Sequence, residues 1–221
     1  MAEDDRTIWI SFFTCTSNER DLGASRKVHA QAMNKQIVAA FDFDGTITKR
    51  DTLLPFLRKY GLSKLTKATC KASLRVGNRN FRNILKETAL NDLFRDYSSE
   101  EFEADGGAYA STLPQLYRSE ILKHIDSHKK RGHQLVLVTG SLGCYARPAA
   151  SALGFDHVIA VEMISTSGRL TGAMEGANIR GPEKARRLKK LLKAESIELW
   201  AYGNSSGDKE MLEMADHAEM V

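Results

Sequence analysis

Ile37-Val38-Ala39-Ala40-Phe41-Asp42-Phe43-Asp44-Gly45-Thr46 is the stretch that decides the fold. Its first half is apolar and partly β-branched without interruption, the composition of a strand buried on both faces of a parallel sheet. The run then turns acidic, where such a strand would end. Asp42 and Asp44 stand two apart on extended backbone, which turns both side chains to one side. Open α/β sheets bind ligands in the crevice outside the carboxyl ends of their strands. Taken alone, Asp-x-Asp-Gly also fits a tight turn with Asx-type caps.

Working outward, short apolar runs recur at 134–138, 157–161 and 197–202, with helical patterns at 120–130, 145–153 and 183–192 between them. Strand alternating with helix predicts an α/β fold, a Rossmann-like parallel sheet with helices on both faces. Gly168 and Arg169, flanked by extended segments, predict a small hairpin hung on the sheet. From the first strand to the helix at Glu120 run roughly seventy residues of helical periodicity, too many for an ordinary crossover. They are expected to form an inserted helical cap, residues 51–115, on a core made of 33–50 and 116–221.

Within the insert, Arg58, Lys59, Lys64, Lys67, Lys71, Arg75, Arg79, Arg82 and Lys86 run without an acid. Acids from Glu87 to Asp105 follow, opposed only by Arg95. Solvated helix faces that pair with one another are the plain account of such runs. A cationic lid that draws in an anionic substrate is the sharper one. Phe56, Tyr60, Phe81 and Phe94 are expected to be cap core rather than a base-stacking platform.

Composition narrows the field further. The 221 residues are 42% hydrophobic, enough to bury a real core, and 32 Lys and Arg against 28 Asp and Glu give a formal charge of +4. That balance is too mild to demand nucleic acid or an anionic membrane, and neither is expected as a partner. No apolar stretch reaches the ~18 residues of a spanning helix. Cys15, Cys70 and Cys144 are odd in number and far apart, which fits a soluble protein of the reducing cytoplasm better than a disulfide framework. Residues 1–32 lack the basic segment and cleavage site of a signal peptide and are set aside as an extension. His124 and His128, four apart on a helix, lack the Glu of a zinc-protease helix and are expected to face solvent.

Asp-Phe-Asp-Gly-Thr after an apolar strand, Thr139 after the next, Lys184 at a helix start, and Gly203-Asn204-Ser205-Ser206-Gly207-Asp208 after a third strand follow in that order. Together they resemble the four motifs of the haloacid dehalogenase-like (HAD) hydrolase superfamily, most of all its phosphoserine-phosphatase-like branch, subfamily IB. The resemblance covers about 37–221, and the insert matches the branch's cap. It implies a phosphatase whose Asp42 takes the phosphoryl group as an aspartyl phosphate. Asp44 would protonate the departing alkoxide and then deprotonate the attacking water. That role needs a partly raised pKa, such as a neighbouring carboxylate produces. Thr139 and Gly140 would hold the phosphoryl oxygens, unless the Thr139 hydroxyl merely caps the next helix. Lys184 would neutralise the phosphoryl group, unless it belongs to the basic surface of Arg186, Arg187, Lys189, Lys190 and Lys193. A cation in a helix's first turn opposes the macrodipole and wants a partner, which favours the functional role. Gly45 and Asp51 complete the expected substrate-binding set. Asp42, the backbone carbonyl of Asp44, Asn204 and Asp208 would form an all-oxygen Mg²⁺ site.

Two departures stand out. The branch usually carries Asp where this chain has Asn204, so the site holds one negative charge fewer. Aligned by motif spacing, the acid, Arg and Asn with which phosphoserine phosphatases recognise their amino acid fall on Asp51, Thr88 and Gly207. Arg82 or Lys86 could supply the missing cation. The branch pattern also continues past Val221 with a final strand and helix. The expected activity is hydrolysis of a small soluble phosphate ester. Its rivals are a phosphotransferase with the same intermediate, a weakly active or non-catalytic phosphate-binding module and a nucleic-acid binder.

Overall fold

A computed structural model of the chain describes residues 35–61, 81–192 and 196–221. The extension at 1–32, Cys15, Cys70 and the basic residues from Lys64 to Arg79 lie outside the described residues.

Strand β1 (Gln36–Phe41) is the centre of the sheet, and Val38 to Phe41 have no exposed surface. It pairs in parallel with β2 (Gln134–Leu142) on one side and β6 (Ile197–Gly203) on the other. β3 (His157–Val161) extends the sheet beyond β2, and β7 (His217–Met220) beyond β6, giving the order β3-β2-β1-β6-β7. All four pairings are parallel, as the uninterrupted apolar run at β1 predicts. The direction of winding reverses at β1 and β6, so the crevice between their carboxyl ends is the switch point where such sheets bind ligands. Helices α4 (Ser119–Lys130), α5 (Gly143–Leu153), α6 (Pro182–Leu191) and α7 (Lys209–Glu213) connect the strands. No helix among the described residues is long and apolar enough to cross a membrane.

The insert contributes α1 (Leu53–Arg58), α2 (Phe81–Phe94) and α3 (Ser99–Ala110). Phe56 and Phe94 are fully buried, and with Tyr60, Tyr97, Phe102 and Tyr109 they form a cluster of edge-to-face and tilted rings. The cluster continues into the core through Tyr145 of α5, 5.1 Å from Phe56 between ring centroids. Asp105 draws in the hydroxyls of Tyr60 (2.7 Å) and Tyr97 (3.2 Å). Gly106 lets α3 approach α5 closely, since a Cβ there would lie 2.5 Å from the Cys144 backbone.

Three features depart from the sequence-based expectation. The hairpin of β4 (Met163–Thr166) and β5 (Arg169–Met174) forms its own two-stranded sheet. Asp96 and Leu170 N–H groups bond across to the Leu170 and Tyr97 carbonyls, which fastens the hairpin to the insert instead of the main sheet. Its turn uses Ser167 and Gly168, both at positive φ, as tight two-residue hairpins require. Strand β7 carries His217, Ala218, Glu219 and Met220, too polar for the apolar-run criterion because an edge strand need not be buried. His128 faces the core, 3% exposed, while His124 stays half exposed. The ring of His128 lies between Tyr202 OH (2.9 Å) and His133 Nδ1 (2.7 Å).

Candidate active site

Asp42 follows β1 directly, and its N–H continues the ladder to the Tyr202 carbonyl at 2.9 Å. The chain then turns: Thr46 and Thr48 N–H both return to the Phe43 carbonyl, and Gly45 takes a φ of 83° that side chains disfavour. This brings Asp44 back to the crevice beside Asp42. Strand β2 stops pairing with β1 after Leu137 and shifts register against β3 between Val138 and Leu142. Thr139 and Gly140 are thereby released to the same crevice. Lys184 arrives from the first turn of α6, and Asp208 from the start of α7. These residues line one cavity of about 530 Å³, with Asp51 and several leucines on the insert side.

Lys184 is 3% exposed and bonds both Asp42 Oδ1 and Asp208 Oδ1, the latter at 2.6 Å. It is a buried ion pair and not a piece of the basic helix surface. Burial works against its charge, but the two carboxylates prevail and hold its pKa above the usual lysine value. For Asp208, burial pushes the carboxyl up, yet the ammonium and the bonds from Ser205 outweigh it and the net shift is downward. Asp42 is raised, by burial first, against Lys184 and with Asp208's charge adding. Its Oδ2 accepts from Thr46 Oγ1 at 3.1 Å.

Asp44 is held by residues that sequence reasoning overlooked. Its Oδ1 accepts from both the N–H (2.8 Å) and the hydroxyl (2.6 Å) of Thr52, and its Oδ2 from the hydroxyl of Ser141. Its pKa is raised to about 6, and the cause is chiefly burial, opposed by these donors; the charge of Asp42 contributes less. The shift expected from a neighbouring carboxylate is therefore present, with a different main cause.

Thr139 does not cap the following helix. Its Oγ1 accepts from the Ser141 N–H at 3.0 Å, which leaves the hydroxyl proton to donate elsewhere. Gly140 and Asp51 line the cavity, though one Asp51 oxygen is already engaged by the Leu54 N–H at 2.9 Å, in the first turn of α1. Gly45 and Asn204 are not among the lining residues. The Gly45 N–H goes to Thr48 Oγ1 at 3.4 Å, and the Asn204 side chain packs where a Cβ of Gly45 would stand. Asp208 Oδ2 gathers the N–H groups of Asn204 (3.2 Å) and Ser205 (3.0 Å) and the Ser205 hydroxyl (2.8 Å), so it also shapes the fourth-motif loop. Asn178, Ile179 and Arg180, after the hairpin, line the cavity as well and carry no motif that would have marked them.

No cluster of three or more His, Cys, Asp or Glu side chains forms a ready metal cage among the described residues. The expected donors, the Asp42 and Asp208 carboxylates, the Asn204 amide and the Asp44 carbonyl, are all oxygens, a set that suits a hard cation which keeps part of its water, as Mg²⁺ does. It offers nothing to a softer metal.

The profile of the haloacid dehalogenase-like hydrolase family matches residues 39–213. The chain is 32% identical over 206 residues to protein CicA of Caulobacter vibrioides, covering 89% of this chain and 91% of that one. It is 28% identical over 184 residues to the phosphoserine phosphatase of Methanocaldococcus jannaschii, covering 82% and 83%. A solved substrate-bound phosphoserine phosphatase complex shares the fold, with a TM-score of 0.60 at 24% identity over 82% of this chain and 84% of that one.

Proposed function

The chain belongs to the haloacid dehalogenase-like hydrolase family and is a phosphatase, and on that premise we propose that it hydrolyses small phosphate monoesters through a phosphoryl group carried on Asp42. The observation that carries this reading is the buried contact of Lys184 with Asp42, at the wall of a cavity that also presents Asp44.

An Asp42 oxygen attacks phosphorus and the ester P–O bond breaks. The departing alkoxide takes the proton of Asp44, whose pKa of about 6 leaves it able to give and to regain a proton near neutrality. Water then attacks phosphorus and yields a proton to the Asp44 carboxylate. The bond to Asp42 breaks and inorganic phosphate leaves. Through both steps Lys184 offsets the charge on Asp42 and on the phosphoryl oxygens, and the Thr139 hydroxyl and the Gly140 N–H donate to those oxygens. Asp42, Asp208, Asn204 and the Asp44 carbonyl would hold Mg²⁺, which would supply neutralisation of negative charge at the site.

Release of p-nitrophenol and phosphate from p-nitrophenyl phosphate in the presence of Mg²⁺ tests the reading. Asp42→Asn should lose turnover by more than about a thousandfold, because the amide is no useful nucleophile. Its fold should persist, since Asp208 keeps Lys184 paired. Wild-type protein that releases no phosphate is a binding module instead. Transfer of the group to an added alcohol in preference to water makes it a phosphotransferase.

A further inference from the structure

Lys86, buried on α2 of the insert, sends its ammonium to two neutral oxygens of the core. Its Nζ donates to the Gly140 carbonyl and, at 2.8 Å, to Asn178 Oδ1. The Asn178 amide returns to the insert and donates at 2.8 Å to Oδ1 of Asn83, one turn before Lys86 on α2. A closed clasp thus joins α2, the loop that carries Thr139 and Gly140, and the segment after the β4–β5 hairpin. Hydrogen bonds with an ionised donor are shorter and stronger than neutral ones, as a clasp requires.

What the clasp grips is a single peptide unit. The Gly140 carbonyl and the Ser141 N–H lie in one plane, and the N–H end goes to Thr139 Oγ1 at 3.0 Å. Lys86 therefore holds one end of the unit and Thr139 the other. The bond from Ser141 also sets the Thr139 hydroxyl, whose own proton is left to point elsewhere. If the unit swung about Gly140, that bond would break and the Gly140 N–H would turn as well. Glycine offers little resistance to such a swing. A side chain at this position could not stiffen it without crowding, because a Cβ on Gly140 would lie 3.2 Å from the Ile179 carbonyl. The restraint comes instead from outside the loop, through Lys86.

We propose that Lys86 is a positioning residue for phosphoryl transfer: by clamping the Gly140–Ser141 peptide it aims the Thr139 hydroxyl and the Gly140 N–H at the phosphoryl oxygens, and it does so only while α2 is seated on the core. This rests on the phosphatase reading and concerns the phosphoryl side of the cavity alone, whatever alcohol the ester carries.

The test uses Lys86→Met, which keeps most of the aliphatic stem and removes the ammonium, with folding checked by thermal melting. Small misplacements of groups that act on the reacting atoms cost up to about a hundredfold in rate. On p-nitrophenyl phosphate with Mg²⁺, kcat should therefore fall about ten- to hundredfold while KM changes by less than about threefold. Inhibition by orthovanadate, which mimics the phosphoryl group in transfer, should weaken by the same factor as kcat/KM. Lys86→Arg, which can still donate to the carbonyl, should keep most of the activity. Because Lys86 acts through Thr139, the losses in Lys86→Met and Thr139→Val should multiply to more than the loss in the double variant. Unchanged kcat and vanadate inhibition in a folded Lys86→Met protein overturn the inference, since the clasp then only fastens the insert. A loss confined to KM, or a double variant whose loss equals the product of the single ones, overturns it too. Should Lys86→Met not fold, Asn178→Ala decides: it removes one of the two acceptors and should lower kcat and vanadate affinity together by about three- to tenfold, and no loss there overturns the inference. Wild-type protein that releases no phosphate from p-nitrophenyl phosphate overturns the phosphatase reading itself.

Discussion

Thr52 gives Asp44 two hydrogen bonds, from its N–H at 2.8 Å and its hydroxyl at 2.6 Å. Thr52 stands immediately before α1, where the chain enters the insert, so the cap orients the carboxyl proposed as the general acid. The Tyr109 hydroxyl donates to the Thr52 carbonyl at 2.9 Å, and Tyr145 OH lies 3.3 Å from its hydroxyl. Any movement of the insert relative to the sheet therefore acts on Asp44. Thr52→Val keeps the shape and the N–H but removes the hydroxyl. Turnover of an alkyl phosphate should fall by about tenfold, the value of one hydrogen bond to a charged group. p-Nitrophenyl phosphate should lose less, since p-nitrophenolate departs with little help from an acid. Equal losses on both esters would mean that Thr52 does not act through proton transfer.

Asn204 and Asp208 are expected to respond in opposite directions to charge. Asn204→Asp adds a carboxylate to the expected Mg²⁺ shell and should lower the Mg²⁺ concentration for half-maximal activity. Asp208→Asn should raise it sharply or stop turnover. It should also lower the melting temperature, because Asp208 holds Lys184 and the loop N–H groups. A metal titration at fixed ester, paired with melting curves, checks both. An unchanged Mg²⁺ dependence in Asn204→Asp together with a harmless Asp208→Asn would place neither residue near the metal.

The neighbouring glycines of α3 should behave differently. A Cβ at Gly106 meets the backbone of Cys144, which cannot move without displacing α5, whereas one at Gly107 meets nothing within 4 Å. Gly106→Ala should cost about 1–3 kcal/mol through overpacking. Gly107→Ala should stabilise by about 0.5–1 kcal/mol through helix propensity. Urea unfolding of the two variants measures the closeness of insert and core directly.

Acid should destabilise the protein through His128. Burial, with the charges of His133, Arg131 and His124 adding, lowers its pKa from 6.5 to about 4. The unfolded chain therefore binds more protons between those values. Stability is at its full value above pH 6.5 and declines as pH falls toward 4, by at most about 3 kcal/mol from this group. Replacement by an uncharged partner for Tyr202, His128→Gln, should flatten that part of the pH–stability curve. An unaltered curve would assign acid lability elsewhere.

Sequence reading succeeds here where chemistry is local. The apolar run before Asp42 marks the central strand because a strand buried on both faces tolerates little else. Lys184 announces a partner through its misfit with the helix dipole. His128 was legible in principle, since with Ile121 and Ile125 it falls at helical spacing on the buried face of α4. Thr52 and Ser141 were not. Common hydroxyl residues carry no pattern, and the contact of Ser141 with Asp44 spans 97 positions. Lys86 was narrowed only to a pair with Arg82: in a run of basic residues, the contacts of α2 with Gly140 and Asn178 are what distinguish a buried ammonium from its solvated neighbours. The hairpin's partner was equally out of reach, because the turn chemistry of Ser167 and Gly168 fixes the hairpin itself but not the surface it joins.

The central claim is that Asp42 carries the phosphoryl group, and acid quenching during turnover of a good ester tests it most directly. Acyl phosphates survive in acid, so mass analysis of the digested protein locates the group. The account expects the added phosphoryl mass on the peptide that contains Asp42, dependent on Mg²⁺ and absent from Asp42→Asn. A phosphoryl group on any other residue, or full turnover in Asp42→Asn, would contradict it.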